Sequence, residues 1–187
     1  MHQLLELETT RFTLRKIEDR DLETLHSYWS DEAVTKYMNA TFKSMEQTRQ
    51  MVDILNILPE IGEGRRWVIV EKANGVVVGS CGYHNLKVEH RRAEVGFELG
   101  REHWGRGIMQ EVMHRIIRHC FEDLNLNRIE AFVTAGNHRS LKALEKLGFK
   151  QEGVLRKYEF IRTDFHDQVI LSLLRSDWGN NCCWNFQ

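Results

Sequence analysis

The sequence predicts a single α/β domain built on a mixed sheet, and three observations carry that prediction. The stretch from Ala93 to Leu124 changes period midway. Ala93, Val95, Phe97 and Leu99 alternate with Glu94, Gly96 and Glu98, as in a two-faced strand. Then Met109, Val112, Met113, Ile116, Ile117, Cys120, Phe121 and Leu124 recur at helical spacing. Around this unit strand and helix patterns follow one another irregularly, which suits a mixed sheet. Finally, 187 residues are enough for one domain with a substantial core, and no repeat, low-complexity tract or linker interrupts them before the polar end. The domain is therefore placed at 1–178, with 179–187 as a flexible tail.

In chain order, Phe12, Leu14 and Ile17 mark a first strand, Arg11 to Lys16. Asp19 or Asp21 is placed to cap a helix carrying Leu22, Leu25, Tyr28 and Trp29. A second helix follows Ser44, with Gln47 as capping-box partner and Met51, Ile54, Leu55 and Leu58 as its apolar stripe. Pro59, the sole proline, helps to end it. Trp67 to Glu71 and Val76 to Tyr83 form a hairpin around Ala73-Asn74-Gly75. After the central strand–turn–helix, Arg128 to Thr134 is a strand and Asn137 to Leu147 a short helix ended by Gly148. Strands near Phe149 to Phe160 and Phe165 to Leu174 lead to Asp177-Trp178.

Composition narrows the function. Lys and Arg number 26 against 27 Asp and Glu, a formal charge of -1, so there is no bulk electrostatic case for nucleic acid or membrane. Cys81, Cys120, Cys182 and Cys183 show neither a disulfide framework nor paired metal spacing. Nine histidines include no His-Glu-x-x-His pair, so no metal is assigned. The sequence has no membrane-length apolar run and no signal-peptide core, and the expected compartment is the cytoplasm.

Gly105 and Gly107, in a turn just before a helix, direct backbone N–H groups outward where the helix end adds partial positive charge. Such a turn suits a phosphate or pyrophosphate, and Arg106 adds a full charge. It is not a Walker loop, because Arg106-Gly107 stands where Lys-Ser/Thr is needed, and not a Rossmann fingerprint, because Gln110 replaces the third glycine. Trp104-Gly105-Arg106-Gly107-Ile108-Met109 resembles the Gln/Arg-x-x-Gly-x-Gly/Ala turn of the GNAT acetyltransferases, centred on Gly107. It departs at Trp104 and Met109, both familiar in the RimJ/RimL-like branch. About thirty residues further on, Asn137-His138-Arg139-Ser140 with the Leu144-Glu145-Lys146-Leu147-Gly148-Phe149 end resembles the family's second motif. Read alone, Asn137 is a helix cap; at this distance from the turn, the pair of motifs favours the functional reading. The resemblance spans Leu7 to Trp178.

The resemblance implies a mixed, mostly antiparallel sheet that splays where the strand at Leu99 leaves the strand at Ala131, with acetyl-CoA as co-substrate in the gap. Backbone near Leu99 would hold the pantetheine. The N–H groups of Gly105, Arg106, Gly107, Ile108 and Met109 would surround the pyrophosphate beside Trp104, with Asn137 and Ser140 at the thiol end. Many relatives place a tyrosine where Leu144 stands, to protonate the departing thiolate; here Ser140 is the candidate for that contact. Glu94 is the expected base, with Glu98 on the same strand face as the runner-up. Cys81 and Cys120 offer a rival acyl-enzyme route, without a histidine recognisable beside either. Three functions are weighed: acetylation of a protein N-terminal α-amine, acetylation of a small-molecule amine, and a non-catalytic acyl-CoA-binding module. The acting form is expected to be a monomer or homodimer. Acceptor walls are expected from Tyr28 to Phe42 and from Tyr83-His84.

Overall fold

A computed structural model of the chain describes residues 5–180. The strands are β1 (Leu7–Glu8), β2 (Phe12–Arg15), β3 (Arg65–Glu71), β4 (Val77–Lys87), β5 (Arg92–Leu99), β6 (Arg128–Thr134), β7 (Lys150–Ile161) and β8 (Asp164–Leu174). They form one sheet in the order β1-β2-β3-β4-β5-β6-β8-β7, and every adjacent pair is antiparallel except β5–β6. The helices are α1 (Leu22–Ser30), α2 (Glu32–Thr35), α3 (Met45–Ile57), α4 (Ile108–Arg118), α5 (His138–Lys146) and α6 (Arg175–Asn180). The predicted mixed α/β class is therefore the one found. Gly179 and Asn180 close α6, and Cys182 and Cys183 lie outside the described residues.

The sheet has helices on both faces. On one, α4 buries Val112, Met113 and Ile116 at 0% exposure against Ala93, Ile129 and Ala131. Each such side chain contributes about 1.5–3 kcal/mol relative to exposure. On the other, Leu25, Tyr28 and Trp29 of α1 pack with Val52 of α3 and Val68 of β3. Three expectations need correction. In α3, Met51 and Leu55 of the expected stripe pack against the core beside the buried Thr48 and Val52, but Ile54 is 56% exposed. Asp21 does not cap α1: its carboxylate accepts both guanidinium nitrogens of Arg15 at 2.7 Å and the Glu18 N–H at 2.8 Å. Gln47 accepts from the Lys43 N–H at 2.7 Å, one residue before the cap Ser44, which itself accepts from the Gln47 N–H. Beyond Arg118 the long helix widens into a π turn, His119–Asp123.

One junction positions the site. The parallel ladder of β5 and β6 has only three pairs, Arg92↔Arg128, Ala93↔Ile129 and Glu94↔Glu130. Glu130 anchors it, accepting from Arg92 at 2.5 Å and Arg128 at 2.8 Å. Past Glu94 no pairing of β5 with β6 continues, while β6 stays paired with β8 as far as Thr134↔Gln168. The Gly100 N–H donates to Val78 of β4. By strand alternation the backbone N–H and C=O groups of Phe97 and Leu99 therefore face the gap that β6 has left.

Candidate active site

At the end of the free edge the chain makes a short 3-10 turn, Arg101–His103, then passes through two left-handed glycines, Gly105 (φ +76°) and Gly107 (φ +70°). Gly107 is the N-cap of α4, and among the described residues no side chain caps that end. The N–H groups of the first helical turn are thus left for an outside acceptor. Trp104 closes the turn from inside, its indole N–H donating to the Leu99 carbonyl at 3.0 Å. The charge expected from Arg106 goes elsewhere. Its guanidinium bonds Glu71 at 2.7 Å and His103 Nδ1 at 3.2 Å. Because guanidinium only donates, His103 Nδ1 must accept, so Nε2 carries the proton and donates to the Tyr28 hydroxyl, 3.2 Å away. Tyr28 in turn donates to the Val77 carbonyl at 2.8 Å. Its ring lies where a Cβ on Gly100 would come within 2.3 Å, so only glycine fits there. Tyr28 and Trp29, expected as acceptor walls, are core residues at 6% and 4% exposure.

Cationic charge reaches the turn from α5 instead. The Arg139 guanidinium sits 3.5 Å from the centre of the Trp104 ring. At the start of the same helix the Asn137 side-chain Oδ1 accepts from the Ser140 N–H at 3.3 Å, so the cap predicted for Asn137 is formed. Leu144 is buried at 1% exposure.

Two cavities meet here. A groove of about 940 Å³ runs between the glycine turn and α5; Leu99, Trp104, all five residues from Gly105 to Met109, Asn137 and Ser140 line it. A pocket of about 430 Å³ lies at the parted strands, lined by β5, β6 and Tyr37, Met38 and Asn39. Phe97, Asn137 and Ser140 line both. The walls differ in charge. Lys36, Arg101, Arg106, Arg139, Lys142 and Lys146 line the groove, whereas none of the described residues around the pocket is Lys or Arg, and Glu94 and Glu159 are among them.

Glu94 opens onto the pocket. One carboxylate oxygen lies 3.2 Å from His84 Nε2, and the other accepts the Asn85 amide at 2.9 Å. Burial alone would raise its pKa, but the His84 and Asn85 hydrogen bonds and the charges of His84 and Arg92 outweigh it and hold the carboxyl below its ordinary range. Glu98 is committed elsewhere: it pairs with Arg66, accepts from the Ser80 hydroxyl, and accepts the Trp29 indole N–H at 3.1 Å. The cysteines do not favour an acyl-enzyme. Cys81 and Cys120 are both 0% exposed, and burial pushes each thiol up to about 12.

His84, Arg139 and Glu159 were not singled out from sequence as charged partners. A regular hairpin counted back from Lys87↔Arg92 puts Asn85, not His84, opposite Glu94. A shift of register, with Asn85 at φ +51°, makes the pair His84↔Glu94.

A family model described as "Acetyltransferase (GNAT) domain" matches residues 11–150. An uncharacterized N-acetyltransferase, p20, of Bacillus licheniformis is 43% identical over 92% of this chain and 98% of its own length. The [ribosomal protein uS5]-alanine N-acetyltransferase of Escherichia coli (strain K12) is 24% identical over 92% of each chain. In fold, the spermidine N-acetyltransferase from Vibrio cholerae, crystallised with CoA and spermine, superposes with a TM-score of 0.80 at 24% identity, covering 91% of this chain and 99% of that one. The parted β5–β6 junction, the uncapped glycine turn and the matched domain agree, and the chain belongs to the GNAT family as an N-acetyltransferase that uses acetyl-CoA.

Proposed function

We propose that the groove holds acetyl-CoA, that the pocket holds the acceptor amine, and that transfer is direct at Ser140, where the two meet. The meeting of a cation-lined groove with a carboxylate-bearing pocket at Phe97, Asn137 and Ser140 is the observation that carries this reading. The residues present fit the donor: left-handed glycines at an uncapped helix start leave space and free N–H groups for a pyrophosphate. In this reading Gly105, Arg106, Gly107, Ile108 and Met109 contribute backbone N–H groups. Arg139, held over Trp104, supplies the cation that Arg106, tied to Glu71, does not. The backbone groups of Phe97 and the N–H of Leu99, whose carbonyl is taken by Trp104, border the pantetheine path.

When bound, acetyl-CoA supplies the activated acetyl thioester. The chain's own residues orient the partners and move the proton. Glu94 accepts from His84 Nε2–H, which fixes the tautomer and leaves Nδ1, beside Gly96, as the basic atom. An imidazole is intrinsically a stronger base than a carboxylate, so His84 takes the proton of the incoming amine and Glu94 stabilises the resulting imidazolium. The C–N bond forms as the C–S bond breaks, and the Ser140 hydroxyl donates a hydrogen bond toward the departing sulfur. Ser140 suffices because a thiol with a pKa of about 8.5 leaves largely as thiolate.

The acceptor class in this reading is a protein N-terminal α-amine or a small-molecule amine, met in the cytoplasm. Producing the neutral form of an α-amine at pH 7 costs under about 1.5 kcal/mol, against more than 4 for a lysine-like nitrogen. Radiolabelled acetyl-CoA with peptides, polyamines and aminoglycosides tests it. Label should pass to an amine without a stable labelled protein. Labelled protein that persists through gel filtration and then discharges to amine would replace direct transfer with an acyl-enzyme.

A further inference from the structure

Resting on the placement of the acceptor in the pocket, we infer that the acceptor carries a second positive charge and no carboxylate: it is a dicationic amine, whose second protonated nitrogen is held by Glu159. Glu94 and Glu159 enter the pocket from different strands, β5 and β7. Glu94, bound by His84 and Asn85, stands at the junction end beside the residues shared with the groove. Glu159 is brought in by an irregularity. Between Leu155↔Gln168 and Glu159↔His166, three residues of β7 (Arg156, Lys157 and Tyr158) face the single Asp167 of β8. Lys157 takes φ +50° there, and its N–H donates to the Asp167 carboxylate at 2.7 Å. A bulge of this kind re-aims side chains, and here Tyr158 and Glu159 both come to line the pocket.

Glu159 is half-buried, and its hydrogen-bond partner is the uncharged Asn39 amide at 2.8 Å. Among the described residues it pairs with no cation, unlike Glu98 and Glu130, which pair with Arg66 and with Arg92 and Arg128. A carboxylate in a pocket without Lys or Arg, on the opposite side of Ser140 from a groove with six cations, sorts ligands by charge. The groove draws the anion, and the pocket draws the cation and repels a carboxylate. Tyr158, stacked on Phe132 at 6.2 Å between ring centres, adds an aromatic wall suited to a protonated nitrogen or the methylenes between two of them. Two sources share this chemistry, a free diamine and a peptide N-terminus followed by a basic residue.

The test compares 1,4-diaminobutane, butylamine and 4-aminobutyrate, which share a four-carbon skeleton, with two peptides that carry Lys or Ala at the second position. The expected kcat/KM for the diamine exceeds that for butylamine by about tenfold, the scale of one charge-assisted hydrogen bond in a half-open site, and 4-aminobutyrate is the poorest. That advantage should shrink as ionic strength rises in the wild-type protein. In Glu159→Gln the diamine-to-butylamine ratio should fall below about threefold. A Lys-over-Ala preference between the peptides, with the diamine no better than butylamine, assigns the second charge to a peptide and keeps the inference. Equal use of diamine, butylamine and both peptides overturns it. Turnover of none of the five, while CoA still binds, overturns the acceptor pocket itself and the inference with it.

Discussion

Gly107→Ala isolates the contribution of the glycine turn, because the fold supplies a matched control. Gly107 has φ +70° and Gly75, in the β3–β4 hairpin, φ +73°. A Cβ added at Gly75 meets nothing within 4 Å; at Gly107 it meets only Arg11 Nη2 at 3.8 Å, an ordinary contact. Both substitutions therefore cost the same left-handed penalty, about 1–2 kcal/mol. For a chain of this length that is a Tm loss of roughly 2–8 °C. Only Gly107 lies at the head of α4, where the pyrophosphate is proposed to rest against backbone N–H groups. Losing one such charged hydrogen bond costs about 1.5–3 kcal/mol, so the Kd for CoA should rise roughly 10- to 150-fold. Thermal melts and calorimetric titration with CoA, run on both variants, separate the two effects. Equal melting losses with CoA affinities within threefold of each other would refute the cradle, whatever the activity.

Glu94→Gln should lower kcat/KM at neutral pH by roughly 10²–10³, with recovery as pH approaches the acceptor's own pKa, about 8 for an α-amine or about 10 for a lysine-like nitrogen. His84→Gln should lose a similar amount, and the double variant little more, because the two act as a unit; additive losses would separate them. Ser140→Ala should reduce kcat more than it changes the Kd for CoA, since its contact matters as the sulfur leaves; an unchanged kcat with a raised KM makes it a binding residue only. Arg139→Ala should weaken CoA about tenfold while Lys72→Ala, whose ammonium is held by Glu8 and the Thr9 carbonyl and does not line the groove, leaves it unchanged; equal affinities remove Arg139 from the cradle. Glu152, lowered to about 2 by Arg128 and Ser172, contributes stability in full above its ordinary pKa of 4.5, and this is lost as pH falls toward 2. Acid melts of Glu152→Gln should accordingly be flatter over that window than those of the wild type.

The proposed donor side is legible in the sequence because it is built from regular structure. The period change between Leu99 and Met109 marks the strand, turn and helix, and Gly105 and Gly107 mark the left-handed positions. Asn137 is both the cap that its residue type predicts and a lining residue of the groove. What composition could not show was where charge would point. Arg106 stands inside the motif yet turns to Glu71, a residue 35 positions earlier, while Arg139 comes to Trp104 from another helix. Such pairings are set by how α5 and β3 pack around the turn. Local period carries no record of them. The two-residue β1 and four-residue α2 were missed for a simpler reason, since neither is long enough to display a period.

The proposed acceptor side is less legible because it is built from departures from regularity. His84 reaches Glu94, and Glu159 reaches the pocket, through register shifts in β4–β5 and β7–β8. At each shift a residue other than glycine takes positive φ, Asn85 at +51° and Lys157 at +50°. Asn tolerates that region; for lysine it costs about 1 kcal/mol or more. At Lys157 the cost is met locally by the Asp167 carboxylate on its N–H, and Asn85 donates its amide to Glu94. Of the three glutamates lining the pocket, Glu98 is paired with Arg66, while Glu94 and Glu159 are each held by a neutral amide, Asn85 and Asn39, which would pre-position both carboxylates for the proposed acceptor. The arrangement also divides the molecule's tolerance to change. In the proposed reading the turn holds a common anion through backbone atoms, which are largely indifferent to side-chain identity, and α5 adds the Arg139 side chain. The register shifts set which residues face the pocket, and the junction at Glu94↔Glu130 is where the proposed donor and acceptor sites adjoin.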